Sequence, residues 1–159
     1  MKKIILSFIG ISFLFYFFSC VKSSSSGFSS CTGPDAIDDS TALLSYAQQN
    51  GITAVHDTSW LYYQIITQGA GTVPIGTSKI TVRYVAKFLN GNPFDSTTSP
   101  VTFELDSLIK GWQYGIPKIQ AGGHIKLLVP SALAFGCGGS GVVPSNTPLF
   151  FDINLLSVQ

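Results

Sequence analysis

The sequence predicts an α+β protein, in which an antiparallel sheet wraps around one short helix and an extra short helix lies on the N-terminal side. Three observations predict this class. Apolar and polar residues alternate along several stretches of the second half, a helical spacing interrupts them once, and a separate helical pattern precedes them. The chain has 159 residues, 45% of them hydrophobic and 11% charged. This is enough for one sizeable core and excludes disorder over most of the length.

The first residues have the pattern of an export signal that ends in a lipid-attachment site. Lys2 and Lys3 give a positive start, residues 4–18 are mostly apolar, and Ser19-Cys20 ends the run. The run is short for a membrane span, which needs about 20 residues. Its end resembles a bacterial lipoprotein box, which implies that residues 1–19 are removed and that Cys20 carries lipid. An uncleaved anchor is the alternative, and both leave the remaining chain outside the inner membrane.

Residues 20–34 are predicted to be the lipidated cysteine and a flexible tether, because they are rich in serine and poor in apolar side chains. Residues 35–56 are predicted to be an N-terminal helical segment. Asp39 and Ser40 offer capping oxygens, apolar residues from Leu43 to Ala47 have helical spacing, and Asn50-Gly51 is a stop signal. We expect this helix to span residues 40–50.

Two cysteines remain if Cys20 carries lipid. Cys31 and Cys137 would lie in an oxidising compartment, where a disulfide between them would stabilise the fold by about 4 kcal/mol on the chain-entropy model. Two unconnected thiols are the alternative. We expect no metal site, because His56 and His124 have no ligand spacing to either cysteine. The net charge of +1 argues against a nucleic-acid partner.

Residues 57–159 are predicted to form the main domain. Strand signals cover residues 60–67, 79–89, 101–105, 124–129 and 149–155. Asn90-Gly91 predicts a tight turn, after which the chain runs back through Phe94-Asp95. Leu108, Ile109 and Trp112 have the spacing of a short helix whose apolar side would lie on the sheet.

Six short motifs in this domain follow one another as they do in a known family. They are Val82-Arg83-Tyr84; Asn90-Gly91 before Pro93-Phe94-Asp95-Ser96; Leu108-Ile109-Lys110-Gly111-Trp112; Gly122 with Lys126-Leu127; Val129-Pro130-Ser131 with Leu133-Ala134-Phe135-Gly136; and Val142-Val143-Pro144 before Leu149-Phe150-Phe151-Asp152. From about residue 62 to the end, the chain resembles an FKBP-type peptidyl-prolyl cis-trans isomerase. The resemblance implies an FKBP-like antiparallel half-barrel around one short helix, with a ligand pocket between the helix and the sheet.

The resemblance also implies the site residues. The catalytic set would be Tyr84, Phe94, Asp95, Trp112, Phe135 and Phe151, with Trp112 as the floor under the proline ring. The substrate-binding set would be Val101, Leu108, Ile109 and Val143, and Ile109 would also offer its backbone N–H to a substrate carbonyl. Read without the resemblance, the aromatic residues on strands would be core residues and Asp95 a turn residue.

Two residues depart from the family pattern. Phe135 stands where the family usually has tyrosine, so a hydroxyl that would donate a hydrogen bond to the substrate is missing. Val101 stands where an aromatic wall residue is frequent. We therefore expect modest activity, and a weakly active or inactive binding or chaperone module is the alternative function.

The expected setting is the bacterial cell envelope, with a lipid anchor and a domain facing the periplasm. The expected partners are proline-containing exported polypeptides, a membrane bound through the lipid, and a macrolide as a further ligand that the family resemblance implies. No cofactor is expected, and a monomer is expected because the sequence contains no coiled coil.

Overall fold

The structure is a computed structural model, and it describes residues 39–159. The predicted signal segment, lipidation at Cys20, tether and Cys31 lie outside the described residues and stay predictions. Within the described part, no helix is long and apolar enough to cross a lipid bilayer.

The described residues form one antiparallel six-stranded sheet with two α-helices and short 3-10 turns. The helices are α1 (Ser40–Gln49) and α2 (Lys110–Gly115), and the strands are β1 (Val55–His56), β2 (Tyr62–Thr67), β3 (Lys79–Phe88), β4 (Pro93–Glu104), β5 (His124–Val129) and β6 (Leu149–Val158). The strand order in the sheet is β1-β2-β5-β6-β3-β4. The last strand, β6, therefore lies in the interior of the sheet, hydrogen-bonded to β5 and β3.

The structure confirms α1 and the predicted turn after β3, where Gly91 has a φ of 89°. The predicted capping bond is wrong for Asp39, whose side chain makes no hydrogen bond to the first turn of α1. It differs from the sequence prediction at β4, which is one strand over Pro93–Glu104 instead of two separate stretches. Its pairing with β3 shifts register twice, between Val82 and Tyr84 and between Ala86 and Lys87. At each bulge one strand contains an extra residue, which interrupts the alternation of apolar and polar side chains. A search for strict alternation therefore divides β4 into separate stretches.

The two faces of the sheet bury different helices, because successive residues of a strand point to opposite sides. On the concave face, Trp112 and the buried residues that follow it pack on Leu127 of β5 and Phe151 of β6. On the convex face, α1 packs on the neighbouring residues Leu128 and Phe150. The outcome is a main core under α2 and a smaller cluster under α1.

The start of α1 is tied to the segment that follows β5. The Asp39 carboxylate accepts a hydrogen bond of 2.6 Å from the backbone N–H of Ser131. A charge-assisted bond of this kind is worth about 1.5–3 kcal/mol when it is protected from water. The N-terminal helix is thereby fixed to the end of the strand that leads towards Phe135.

Helix α2 lies unusually close to the sheet, and two glycines allow this approach. A Cβ atom on Gly115 would lie 2.6 Å from the Leu127 side chain, and one on Gly111 would overlap the Val129 methyl groups. Any larger residue at either position would force α2, which carries Trp112, or the side chain beneath it on β5 to shift.

We predict that Gly111→Ala lowers the free energy of unfolding by about 1–3 kcal/mol, because overpacking against a β-branched valine forces a backbone shift. Equilibrium denaturation in urea measures this change. Gly76→Ala is the matched control, since a Cβ atom there meets nothing within 4 Å, and it should change stability by less than about 0.5 kcal/mol. Equal effects of the two substitutions would contradict the close approach of α2.

Candidate active site

An apolar cavity of about 280 Å³ lies between α2 and the concave face of the sheet. Aromatic and aliphatic side chains form most of its wall, and Asp95 is its one charged lining residue. The lining consists of Tyr84, Phe94, Asp95, Phe103, Ser107, Leu108, Ile109, Trp112, Phe135 and Phe151. A concave apolar site with few polar groups is typical of a ligand-binding pocket.

Trp112 is the centre of the aromatic wall. Its ring meets those of Tyr84, Phe103 and Phe151 edge to face, at centroid distances of 5.2, 6.3 and 5.5 Å. Trp112 is only 4% exposed, so α2 places it in both the core and the cavity wall. Edge-to-face contacts add about 0.5–1.5 kcal/mol each beyond the buried area, which makes the wall rigid.

The bulge near the start of β4 brings two consecutive residues to the cavity. Asp95 is paired with Ala86 and Pro93 with Lys87, so Phe94 is the extra residue. In a regular strand Phe94 and Asp95 would face opposite sides of the sheet. At the bulge both line the cavity, which gives it an apolar wall and a carboxylate from adjacent positions.

Tyr84 and Asp95 are joined across β3 and β4. The Tyr84 hydroxyl donates a hydrogen bond of 2.5 Å to the Asp95 carboxylate. Burial, followed by this hydrogen bond and the negative charge of Asp95, raises the pKa of Tyr84 to about 12. Tyr84 therefore stays protonated at neutral pH, and its hydroxyl holds the carboxylate at the cavity rim.

The segment before α2 supplies the remaining wall. The Gln113 side chain donates hydrogen bonds to the carbonyls of Asp106 and Leu108, at 2.9 and 2.6 Å. These bonds hold the turn that presents Leu108 and Ile109 to the cavity. Among the described residues no acceptor binds the backbone N–H of Ile109, as is usual for a residue at the start of a helix.

The structure brings eight of the predicted site residues to this one cavity: Tyr84, Phe94, Asp95, Leu108, Ile109, Trp112, Phe135 and Phe151. It does not bring Val101 and Val143 there. Val101 packs as a half-buried residue against the main core, and Val143 is a buried member of that core. Cys137 lies in the loop after Phe135, and its predicted pairing with Cys31 involves a residue outside the described part.

Two lining residues, Phe103 and Ser107, were not predicted as site residues. Phe103 supplies an aromatic ring two positions after Val101, 6.3 Å from the Tyr84 ring. The alternation of β4 already placed Phe103 on the inward face, so the sequence carried a signal for it. Ser107 carries no such signal, because it belongs to a 3-10 turn in which its hydroxyl donates to the Glu104 carbonyl.

In residues 39–159 no three His, Cys, Asp or Glu side chains lie close enough together to hold a metal ion. The cavity itself contributes one carboxylate, one serine hydroxyl and the Tyr84 phenol. What this arrangement can do is enclose an apolar group, offer hydrogen bonds at its rim and exclude water.

An open antiparallel sheet that holds an aromatic cavity against one short helix defines a class of ligand-binding half-barrels. The sequence model of the family described as FKBP-type peptidyl-prolyl cis-trans isomerase matches residues 71–156. The chain is 34% identical over 117 residues to the FKBP-type peptidyl-prolyl cis-trans isomerase FkpA of Escherichia coli K12, covering 72% of this chain and 43% of FkpA.

Solved structures agree. The crystal structure of Escherichia coli FkpA superposes with a TM-score of 0.70 at 32% identity, over 79% of this chain and 61% of that one. The crystal structure of a peptidyl-prolyl cis-trans isomerase from Pseudomonas syringae pv. tomato gives a TM-score of 0.68 at 30% identity, over 78% of this chain and 93% of that one.

This chain belongs to the FKBP-type peptidyl-prolyl cis-trans isomerase family. The resemblance and the half-barrel predicted from the sequence are thereby confirmed. The chain spans less than half the length of the curated relatives it matches, for example 43% of FkpA.

We predict that ionisation of Tyr84 lowers the free energy of unfolding as the pH rises in the alkaline range. Its pKa is about 12 in the fold against an ordinary value of 10.0, so its contribution is complete below about pH 10 and is lost as pH rises through about 12. Urea denaturation at about pH 9 and about pH 11.5 should show a larger loss for the unmodified chain than for Tyr84→Phe. Tyr114→Phe, at an exposed tyrosine, is the control and should behave as the unmodified chain does.

Proposed function

We propose that this chain is a peptidyl-prolyl cis-trans isomerase, which accelerates rotation about X-Pro bonds. The observation that carries the proposal is the cavity in which Trp112 lies among aromatic rings with the Tyr84–Asp95 pair at the rim. The cavity volume of about 280 Å³ is sufficient for a proline ring with its flanking peptide groups. Trp112 would be the floor on which the ring rests.

The reaction that such a cavity supports needs no nucleophile. The barrier to amide rotation, about 18–20 kcal/mol, comes from resonance that also makes the planar amide strongly dipolar. A twisted amide is less dipolar and loses less when it is removed from water. An apolar cavity therefore destabilises the planar ground state more than the twisted transition state, and this difference lowers the barrier.

Polar groups at the cavity would orient the substrate. The backbone N–H of Ile109 has no acceptor among the described residues and is available to a substrate carbonyl. The Asp95 carboxylate, held by the Tyr84 hydroxyl, would place a negative charge beside the rotating bond. Preorganised groups of this kind act without reorganisation during the reaction, which makes them effective in a cavity shielded from water.

A second candidate function is a binding or chaperone module that holds proline-containing segments with little turnover. Phe135 favours it, because this residue lines the cavity with a ring that has no hydroxyl. One neutral hydrogen bond is worth about 0.5–1.5 kcal/mol, so its absence would weaken substrate binding several-fold without abolishing it. Phe103 acts in the other direction, since its ring offsets the missing aromatic side chain at Val101.

The proposed setting is the cell envelope, with Cys20 lipidated after removal of residues 1–19 and residues 20–34 as a tether. Residues 35–56 would be the N-terminal helical segment and residues 57–159 the isomerase domain, facing the periplasm as a monomer. Proline-containing exported polypeptides are the proposed substrates, and a macrolide is a further proposed ligand of the same cavity. These proposals rest on the sequence pattern of the first residues and on family membership.

A disulfide between Cys31 and Cys137 is also proposed. Cys137 is half-buried in the loop that follows the cavity residue Phe135, so a bond there would join this loop to the N-terminal segment. The Asp39–Ser131 hydrogen bond is a second link in the same region. Mass spectrometry of the unreduced mature protein would overturn the pairing by detecting two free thiols.

We predict that the full chain in detergent accelerates isomerisation of a short X-Pro peptide. Phe94→Ala should lower kcat/KM by about tenfold, because it removes a wall that excludes water. Asp95→Asn should lower it by about three- to tenfold, because it removes the negative charge and weakens the bond from Tyr84. A protease-coupled or NMR exchange assay measures these rates.

Asp106→Asn is the matched control for Asp95→Asn. Asp106 is an exposed carboxylate in the turn before α2, and it does not line the cavity. It should leave kcat/KM unchanged within about twofold. Binding of the peptide without acceleration would support the module instead of the enzyme.

We predict further that Phe135→Tyr raises kcat/KM. The added hydroxyl would donate a hydrogen bond to the substrate carbonyl, which corresponds to an increase of about two- to tenfold. The same peptide assay tests the change, with urea denaturation to verify that the variant is folded. No increase in a stably folded variant would show that this position does not contact substrate.

A further inference from the structure

A second concave surface lies beyond the ring of the site residue Phe94, on the far side of its contact with Phe88. It has a volume of about 360 Å³ and is lined by Phe88, Asn90, Val142, Pro144 and Thr147, a set that we call the outer groove. The Phe88 and Phe94 ring centroids are 4.8 Å apart. Because Phe94 lines the candidate active site and Phe88 lines the outer groove, this contacting pair of rings lies between the two cavities.

One side of the outer groove is a hydrogen-bonded loop that exposes an apolar side chain to solvent. Ser140 and Val143 exchange backbone hydrogen bonds of 2.9 Å in both directions, which closes a tight turn. A Cβ atom on Gly139 would lie 2.6 Å from the Val143 carbonyl oxygen, so the backbone of this loop packs closely on itself and leaves no space for a side chain there. Val143 is 5% exposed, whereas Val142 is 72% exposed, more than any other large apolar residue in the described part.

The other side of the outer groove is the turn between β3 and β4. The Asn90 side-chain oxygen accepts a hydrogen bond of 2.9 Å from the Asn92 backbone N–H. This fixes the side chain and leaves the Asn90 amide N–H groups as donors at the rim of the groove. All five lining residues are uncharged. An apolar floor with amide and hydroxyl groups at its edge matches an apolar side chain carried by a polypeptide backbone.

We propose that the outer groove is a second subsite, which binds an apolar side chain of the same polypeptide whose proline occupies the candidate active site. The proposal rests on the proposed function. A group bound in one cavity and a group bound in the other would be separated by the Phe88–Phe94 ring pair and by one van der Waals contact on each side of it, about 12 Å in total. An extended chain covers this distance with about three or four residues. The outer groove would thus select substrates by a residue at that distance from the proline.

The experiment uses the full chain in detergent and two ten-residue peptides with a central proline. One peptide carries leucine and the other serine at the third and fourth positions on each side of the proline. NMR exchange spectroscopy gives kcat/KM for both. The unmodified chain should prefer the leucine peptide by about tenfold, through a lower KM, and Val142→Asp should reduce this preference to about twofold or less.

Two variants sharpen the test. Val142→Leu keeps an apolar group in the groove and should retain the preference. Ile75→Asp is the matched control, because Ile75 is a 64% exposed apolar residue that does not line the groove, and it should change neither the preference nor turnover of a short peptide. An equal rate for both peptides with the unmodified chain, or an unchanged preference in Val142→Asp, would overturn the second subsite.

The proposed function fails separately, if the unmodified chain does not accelerate a short X-Pro peptide at all. In that case the affinities of the leucine and serine peptides for the unmodified chain and for Val142→Asp, measured by calorimetry, still test the second subsite. Tighter binding of the leucine peptide that Val142→Asp removes would support the subsite, and equal binding would overturn it. Sedimentation that shows Val142→Asp dissociating a dimer would assign the groove to a second copy of the chain and overturn the proposal.

Discussion

The packing of Trp112 is the contact on which both the core and the cavity depend. Its ring is 4% exposed and meets three aromatic rings from β3, β4 and β6 edge to face. The contact exists only because Gly111 and Gly115 let α2 approach β5 closely. Since the same ring contributes to the buried core and to the cavity wall, a change that loosens the helix would reduce stability and alter the cavity together.

This arrangement matches the proposed isomerase function, which requires neither a nucleophile nor a metal ion in the cavity. In that proposal the shape of the cavity, the exclusion of water and a few fixed polar groups would lower the barrier to a rotation in which no bond is broken. The Tyr84–Asp95 pair is the only place in the cavity where two titratable side chains are hydrogen-bonded to each other. Under the same proposal, the missing hydroxyl at Phe135 would lower the affinity of the cavity for a prolyl peptide, and the ring of Phe103 would raise it.

Much of the fold could be predicted because its signals are local: the alternation of β3, β5 and β6, the turn at Asn90-Gly91 and the spacing around Trp112. The two shifts of β4 could not, since a bulge depends on how two strands pair and not on either strand alone. The same limit applies to the site. Motifs that match the family indicated eight lining residues. That Val101 does not line the cavity and that Ser107 does depends on strand register and turn geometry, which the motifs do not contain.

The position of β6 has a consequence for how the chain acquires its structure. The last strand is inserted between β5 and β3. No strand of the group β1, β2 and β5 therefore shares backbone hydrogen bonds with the β3–β4 hairpin, and the two groups become one sheet only when residues 149–158 are in place. Closing such long-range pairings is slow compared with forming local hairpins. Loss of β6, residues 149–158, would divide the sheet into two fragments, each with an open edge that invites aggregation.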